Sequence, residues 1–148
     1  MAESKQAKNA EGEIRSMVEK WVESVRQKDL DGVMAHYAPN VITFDIVPPL
    51  ASAGADNYRK NWAMWFESLA GPIDYEMRDL QITASDDIAF CHSVNRVSSV
   101  SKQAGREETW LRATVGFKKV NGEWLVTHEH VSLPFYMETG KAAVDLEP

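Results

Sequence analysis

The C-terminal half of the chain reads as four long β-strands that follow one another without an intervening helix. In each run apolar and β-branched residues alternate with polar ones. Asp86-Asp87 and Asn121-Gly122 separate two pairs of runs, and Asn-Gly is the strongest two-residue signal for a β-hairpin. The sequence therefore predicts an antiparallel meander with strands near 74–84, 88–100, 106–120 and 123–133.

Three amphipathic helices are predicted before this meander. The first follows the segment "KNAEG" and repeats apolar residues at three- and four-residue spacing from Ile14 to Val25. The second begins at Asp29 as "DLDGVMAHY", with Tyr37 on its apolar side, and ends before Pro39.

The third helix covers "ADNYRKNWAMWFESLAGP", where Asp56 is the expected cap and Gly71-Pro72 ends the helix. Between the second and third helices, "NVITFDIVPP" reads as a short strand. Helices first and a meander second is the order of an α+β fold in which the helices pack on one face of a curved sheet. We expect residues 11–133 to form this domain, after a disordered tail over residues 1–10.

Composition excludes several classes of function. The chain has 148 residues, of which 44% are hydrophobic, and this suffices for one globular core. Cys91 is the single cysteine, so an intramolecular disulfide or a multi-cysteine zinc site is excluded. A net charge of -6, with 16 basic residues scattered among 22 acidic ones, argues against nucleic acid as a partner. The sequence has no apolar run of transmembrane length and no signal-peptide pattern, so no membrane partner and a cytoplasmic location are expected.

The segment "WLVTHEHVS" carries two histidines that share one face of a strand, because side chains alternate along a strand. A two-residue turn at Asn121-Gly122 aligns Val115 with His128 and Ala113 with His130. The apolar face must pack on the helices, so both histidines are predicted to point inward and Glu129 outward. The predicted inward set is Leu111, Ala113, Val115, Phe117, Trp124, Val126, His128 and His130.

In the neighbouring strand "IAFCHSVNRVSS", the bulkier face holds Phe90, His92, Val94 and Arg96, and we assign it inward. A buried arginine is costly unless it lines a wet pocket or finds a partner. Three histidines and an arginine do not suit a closed core. The pattern therefore predicts a concave sheet that encloses a ligand cavity.

Three stretches of the chain resemble the SnoaL-like proteins of the nuclear-transport-factor-2-like superfamily, which includes ketosteroid isomerase and scytalone dehydratase. The matching stretches are "DLDGVMAHYAPNVITFD" at 29–45, "GADNYRKNW" at 54–62 and "NGEWLVTHEHVS" at 121–132. The resemblance implies a cone-shaped, cystatin-like α+β roll, in which three N-terminal helices pack into a strongly curved antiparallel sheet. It also implies a pocket at the wide end and dimers formed through the outer sheet face.

The resemblance implies particular site residues as well. Asp45 occupies the place of the general base of ketosteroid isomerase. The oxyanion-hole tyrosine of that enzyme is replaced here by Trp21, and its aspartic acid falls near Val115, so the isomerase oxyanion hole is missing. Scytalone dehydratase uses an aspartate and two histidines, and Asp45 with His92 and either His128 or His130 is closer to that pattern.

Three functions follow from this pattern. The first is a cofactor-independent acid-base enzyme of isomerase or dehydratase type, with Asp45 as base and the histidines as acid or relay. The second is a non-catalytic domain that binds a ligand or dimerises. The third, ranked last, is a metal site built by the histidine pair, His92 and a carboxylate. The expected ligand is a small hydrophobic or partly anionic molecule, contacted by Arg96, Trp21, Tyr58, Trp62, Val94 and Val115.

The assembly predicted from the sequence is a homodimer through the sheet face that carries Arg112, Thr114 and Glu129. Residues 134–148 fit neither a helical nor a strand period and are predicted to cross the pocket mouth or the dimer edge. No metal and no cofactor is expected to be required.

Overall fold

The computed structural model describes residues 4–148 and has the α+β architecture predicted from the sequence, with helices packed against a curved, unclosed sheet. The helices are α1 (Lys5–Arg26), α2 (Leu30–Met34) and α3 (Ala55–Glu67). The strands are β1 (Tyr37–Phe44), β2 (Ser52–Ala53), β3 (Asp74–Ala84), β4 (Ile88–Ser101), β5 (Gly105–Val120) and β6 (Glu123–Ser132). No helix within residues 4–148 is both long enough and apolar enough to cross a membrane.

Helix α1 begins earlier than its apolar period suggests. The Ser4 side chain accepts a hydrogen bond from the Ala7 N–H at 3.0 Å, which satisfies one of the free donors at the helix start. Ala10 is buried in the core one turn before Ile14. The prediction of a disordered tail is therefore wrong for residues 5–10, while residues 1–3 of that tail lie outside the described residues.

Helix α2 is only five residues long, and the chain turns into β1 at Tyr37. Tyr37 was predicted to lie on the apolar side of this helix, and the prediction was wrong. Pairing of Tyr37 with Val126 in the sheet replaces further helical turns. The expected Asp56 cap of α3 was also wrong, because Gly54 takes the N-cap position with a φ of 93° and without a side-chain cap.

The sheet has six strands in the order β2-β1-β6-β5-β4-β3. The predicted meander β3 to β6 forms with boundaries within about one residue of those read from the sequence. Strand β1 adds to it in parallel with β6, and the short β2, which the sequence did not reveal, pairs with β1. The helices pack on the concave face, while side chains of the opposite face such as Phe90, His92 and Thr114 are exposed.

The hairpin of β5 and β6 contains a β-bulge that changes which side chains face the helices. Val120 pairs with Glu123 and Phe117 with Val126, as predicted. The next pair is Gly116 with His128, so Thr127 is an extra residue in β6. An extra residue shifts the alternation by one position, and every side chain beyond it moves to the opposite face.

As a result Glu129 points toward the helices while His128 and His130 point away from them. Glu129 lies opposite Val115, which faces inward as predicted. The prediction that both histidines face inward and Glu129 outward is therefore wrong, because it assumed an unbroken alternation from the turn.

Strand β4 presents its smaller side chains to the helices. Cys91, Ser93 and Asn95 are buried, whereas Phe90 and His92 are exposed. The prediction of the bulkier face as the inner one was wrong. Small side chains in the middle of a concave sheet leave open space in front of it, and this space is a cavity.

Candidate active site

A cavity of about 710 Å³ lies between the concave sheet face and helices α1 and α3. Its wall is mainly apolar and includes aromatic rings, among them Trp21, Tyr58, Trp62 and Trp65. The ring centroids of Trp21 and Trp62 are 5.7 Å apart with an edge-to-face orientation. The cavity is large enough for a drug-sized ligand, since such sites typically measure about 300 to 1,000 Å³.

Glu129 is the buried carboxyl group of this cavity. Its side chain is 7% exposed, and both oxygens are engaged by tyrosine hydroxyl groups. Tyr37 Oη donates to Oε1 at 2.9 Å, and Tyr58 Oη donates to Oε2. The three residues come from β6, β1 and α3, so the cluster depends on the sheet register, the short second helix and the helix packing together.

Burial raises the pKa of Glu129 above the usual glutamate value, because a charged carboxylate is poorly solvated in an apolar wall. The hydrogen bonds from Tyr58 and Tyr37 oppose this effect, and the negative charge of Asp45 adds to it. The pKa values of both tyrosines are raised well above their usual value, first by burial and then by the Glu129 charge. The tyrosines therefore remain neutral donors, and Glu129 can hold a proton at a higher pH than a solvated glutamate.

Asp45 lies just after the end of β1 and also lines the cavity. Its side chain is half-buried, and Oδ1 accepts a hydrogen bond from the Ile46 N–H at 2.7 Å. This bond goes to the next residue and not to the residue two positions on that an Asx-turn uses, so it is a local backbone contact. Asp45 therefore combines a local backbone contact with a position on the cavity wall.

A second polar cluster lies across the sheet on β3 and β4. Ser93 Oγ donates to Asn95 Oδ1 at 2.8 Å, and Asn95 Nδ2 donates to Tyr75 Oη at 2.8 Å. All three side chains are buried and line the cavity. The cavity thus has two separate polar walls within an apolar surface.

The sequence of residues 14–136 matches the model of the SnoaL-like domain. This match covers most of the chain. The chain belongs to the SnoaL-like family. The resemblance inferred from the three sequence stretches is thereby confirmed.

Solved structures place this SnoaL-like domain among nuclear-transport-factor-2-like folds. A nuclear-transport-factor-2-like protein of unknown function from Pseudomonas putida KT2440 is 37% identical, with a TM-score of 0.88 over 96% of this chain and 99% of that one. A candidate dehydratase of the same family from Streptomyces avermitilis is 13% identical, with a TM-score of 0.70 over 80% of this chain and 92% of that one. A ketosteroid isomerase-like protein from Erwinia carotovora atroseptica SCRI1043 is 20% identical, with a TM-score of 0.68 over 80% and 92% of the two chains. No curated protein matches the sequence.

The histidines predicted for the site lie on the outer face of the SnoaL-like sheet. The rings of His128 and His130 pack edge-on against Phe44, with centroid distances of 4.7 and 5.4 Å. His128 Nδ1 lies 2.8 Å from the Ile42 carbonyl oxygen. His92 is exposed on β4, on the same outer face. The predicted group of Asp45 with inward histidines does not form in this chain.

Arg96 and Val94 also belong to the outer face, contrary to the prediction that they contact a ligand. The Arg96 guanidinium forms three ion pairs, with Asp74 at 2.9 Å, Glu76 at 3.1 Å and Glu108 at 3.0 Å. These partners stand on the neighbouring strands β3 and β5 and explain why an arginine is stable there. The reason for expecting an anionic group in the ligand is therefore removed.

The remaining predicted ligand contacts are positioned on the cavity wall. Trp21, Tyr58, Trp62 and Val115 all line it, together with Asp45. The prediction of a metal site required three converging histidines. Within residues 4–148 no group of three histidine, cysteine or acidic side chains is arranged to hold a metal ion.

Glu129, Tyr37 and the Tyr75 cluster were not among the predicted site residues. A signal for Glu129 was present in the apolar pattern of β6 and the residues after it. Trp124 and Val126 occupy even positions, whereas Val131 and Leu133 occupy odd ones, and both pairs line the core or cavity. This change of parity indicates one extra residue between them, which is the bulge.

The raised pKa of Glu129 predicts how stability changes with pH. At pH values below the pKa of an unfolded glutamate, Glu129 is protonated in both states and its stabilising contribution is complete. As the pH rises, the unfolded chain releases this proton first, so stability is lost until the folded pKa is passed. The free energy of unfolding, measured with urea between pH 4.5 and 8, should therefore fall in the wild type relative to Glu129→Gln as the pH rises. The fall is about 1.4 kcal/mol for each unit by which the folded pKa of Glu129 exceeds the unfolded one.

A difference between the two proteins that stays constant with pH would contradict the raised pKa. A shift in the opposite sense would mean that the tyrosine hydrogen bonds outweigh burial. Glu123→Gln, at the exposed start of β6, is the matched control. Its free energy of unfolding should change with pH as that of the wild type does.

Proposed function

We propose that this protein is a cofactor-independent acid-base enzyme of isomerase or dehydratase type that acts on a small, largely apolar molecule in the cone. Asp45 is proposed as the general base, as the sequence suggested. Glu129 takes the role of acid that was first assigned to the histidines. The observation that carries this proposal is the buried Glu129 carboxyl with a raised pKa in the wall of an apolar cavity.

Acid-base catalysis near neutral pH needs one group that accepts a proton and one that donates it. Two carboxyl groups in different environments can fill these roles, because burial keeps one protonated while the more solvated one stays ionised. Glu129 is buried, whereas Asp45 is half-buried beside the exposed loop at Ile46 and Val47. Both groups line the same cavity, and the Asp45 charge contributes to the raised pKa of Glu129.

The proposed reaction starts with transfer of a proton from a carbon beside a carbonyl group to the Asp45 carboxylate. The electron pair of the broken C–H bond moves to the carbonyl oxygen, and an enolate results. In an isomerisation, Glu129 gives its proton to another carbon, the double bond moves, and Asp45 releases its proton to solvent, from which Glu129 regains one. In a dehydration, the enolate expels a hydroxyl group on the neighbouring carbon, which takes the Glu129 proton and leaves as water.

A binding domain without chemistry is the second candidate. It is favoured by the fact that both oxygens of Glu129 already accept hydrogen bonds from Tyr37 and Tyr58. A carboxyl group satisfied in this way can serve as a structural anchor between β6, β1 and α3. In that case the cavity would bind a ligand and leave it unchanged.

Exchange of carbon-bound protons separates the two candidates before any natural substrate is known. α-Tetralone, a small apolar ketone, is incubated with the protein in heavy water, and loss of its α-proton signal is followed by proton NMR. An acid-base enzyme should accelerate the exchange at least about a hundredfold over buffer, the lower end of what a positioned acid or base contributes. Binding of α-tetralone without acceleration would favour the binding domain.

We also propose that two copies associate through the outer sheet face. Exposed apolar side chains support this assembly, since Ile42, Phe44, Ile88 and Phe90 are each at least 37% exposed on or beside this face. Arg112 and Thr114 lie there as predicted, but Glu129 does not, because the bulge turns it into the cavity. Gly116 pairs with Phe90 on one side and His128 on the other, which leaves a shallow centre for a second copy.

Light scattering at micromolar concentration should give about twice the chain mass of 16.6 kDa for the wild type. Phe90→Asp should give the mass of one chain, because an unpaired charge at the centre of an apolar interface is costly. Lys102→Asp, in the turn between β4 and β5, is the control and should remain dimeric. A wild-type monomer would contradict the proposed assembly.

A further inference from the structure

The cluster of Ser93, Asn95 and Tyr75 is a hydrogen-bond chain with a direction. Ser93 donates to the Asn95 carbonyl oxygen, and the Asn95 amide donates to the Tyr75 hydroxyl oxygen. Among the described residues, the Tyr75 hydroxyl proton has no acceptor. This end of the chain therefore has one unused donor at the cavity wall. A buried hydroxyl group without an acceptor is costly, so an acceptor on a ligand would be favoured here.

Tyr75 remains a donor over the whole physiological pH range. Burial raises the pKa of its hydroxyl group, and the Glu129 charge raises it further. The accepted bond from Asn95 opposes these effects only in part. The hydroxyl is therefore neutral and keeps its proton.

The donor lies on a different wall from the proposed acid. Tyr75 stands on β3, but its hydroxyl group meets the Asn95 side chain of β4. The backbone of β4 lies two strands from that of β6, which carries Glu129, a separation of about 10 Å at the usual strand spacing. One small molecule can therefore contact the Tyr75 wall and the Glu129 wall at the same time.

The charges on the wall decide what kind of acceptor fits. Among the described residues that line the cavity there is no lysine or arginine, and His36 is exposed, while Asp45, Glu107 and Glu129 supply carboxyl groups. A ligand carboxylate or phosphate would lose hydration without gaining a cation. A neutral oxygen acceptor loses much less and can accept the Tyr75 proton.

Two tryptophans add to the surplus of donors near Tyr75. The Nε1 atoms of Trp21 and Trp62 are buried and have no hydrogen-bond partner. The Trp21 ring packs edge-on against Tyr75 with a centroid distance of 5.5 Å. This wall is therefore rich in donors and poor in acceptors, and it presents flat aromatic surfaces to a ligand.

We propose that Tyr75, held by Asn95 and Ser93, binds a neutral carbonyl oxygen of the ligand, whose apolar ring system packs against Trp21 and Trp62. This inference rests on the proposed binding function of the cone and names the chemical class of its ligand, an uncharged ketone or ester of one or two rings. The carbonyl group is fixed at the β3 and β4 wall, and the rest of the molecule extends toward Asp45 and Glu129.

Three related probes test this subsite. α-Tetralone carries the carbonyl group, tetralin has the same ring system without it, and naphthoate carries a carboxylate instead. Their binding is measured by quenching of tryptophan fluorescence, to which the wall residues Trp21, Trp62 and Trp65 contribute. In the wild type, α-tetralone should bind more tightly than naphthoate.

Tyr75→Phe should weaken binding of α-tetralone about fivefold more than binding of tetralin, as expected for one lost hydrogen bond. Tyr136→Phe removes the hydroxyl group of a tyrosine that pairs with Asp145. This control should leave the affinities for α-tetralone and tetralin unchanged. The infrared carbonyl stretch of α-tetralone bound to the wild type should lie below its value in cyclohexane, which tests the hydrogen bond without any variant.

Equal weakening of α-tetralone and tetralin by Tyr75→Phe would overturn the subsite. An unshifted carbonyl stretch or tighter binding of naphthoate would overturn it as well, while the proposed acid-base function would stand. Failure of both α-tetralone and tetralin to bind at millimolar concentration would contradict the binding function itself, and the subsite with it.

Discussion

Glu129→Gln is expected to lower the rate of α-proton exchange in α-tetralone by about 10²- to 10⁴-fold, the contribution typical of a positioned acid or base. Glutamine has nearly the same shape and can still accept a hydrogen bond from Tyr37 or Tyr58 through its amide oxygen. It cannot give a deuteron to the enolate carbon, so the proton taken by Asp45 returns to that carbon and no exchange results. The fold should therefore persist while exchange is lost.

The measurement is the exchange rate constant at saturating α-tetralone, since binding and proton transfer are then separated. Glu123→Gln changes an exposed glutamate of the same strand and should leave the rate unchanged. An unchanged rate in Glu129→Gln would exclude Glu129 as acid. Equal loss of binding and rate would indicate that the carboxyl group only shapes the wall.

Asp45→Asn is the second variant with a large expected effect, a fall of about 10²- to 10⁴-fold in the same rate constant. Asparagine keeps an oxygen that can accept the Ile46 N–H bond now made by Asp45 Oδ1. The turn should therefore remain, and the free energy of unfolding should change little. Only the ability to accept a proton from the ligand is removed.

Asp45→Ala separates a structural role from a catalytic one. Alanine lacks the acceptor of the turn, so it should cost about 0.5 to 2 kcal/mol of stability, the range measured for lost side-chain caps. Urea unfolding of the two variants gives this difference. If Asp45→Asn keeps full exchange activity while Asp45→Ala is destabilised, Asp45 is a turn residue and another group is the base.

The fold was accessible from the sequence because its signals are local and agree with one another. The Asn121-Gly122 turn, the apolar period of α1 and the stripe of α3 each predict an element, and the order of elements predicts the layers. The predicted end of α2 was wrong, because pairing of Tyr37 with Val126 in the sheet overrides the helical period. Sheet pairing over such a sequence distance is a tertiary effect that a local pattern does not contain.

The site was less accessible because it depends on the parity of side chains along two strands. A single extra residue, Thr127, moves Glu129 inward and His128 and His130 outward. In a regular strand the same residues would have had the opposite orientation. The apolar residues Val131 and Leu133 stand at odd positions and so indicated this shift. The histidine pair was the more conspicuous feature of the segment.

In β4 the rule that the bulkier face is buried failed for a physical reason. That rule holds where a strand packs on a filled core. Here the inner face is the wall of a cavity, and Cys91, Ser93 and Asn95 leave room for a ligand. Phe90 and His92 stand on the outer face, where association of two copies would cover them.

We propose that Glu129, and none of the three histidines predicted for the site, is the proton-carrying group buried in the cone. A titration of the Glu129 side-chain carboxyl carbon by carbon NMR, with the signal assigned through Glu129→Gln, measures this directly. We expect a pKa above the ordinary glutamate value of about 4.3 and a further rise in Tyr58→Phe, which removes one stabilising hydrogen bond. A Glu129 pKa at or below the ordinary value would contradict the assignment of Glu129 as the buried acid.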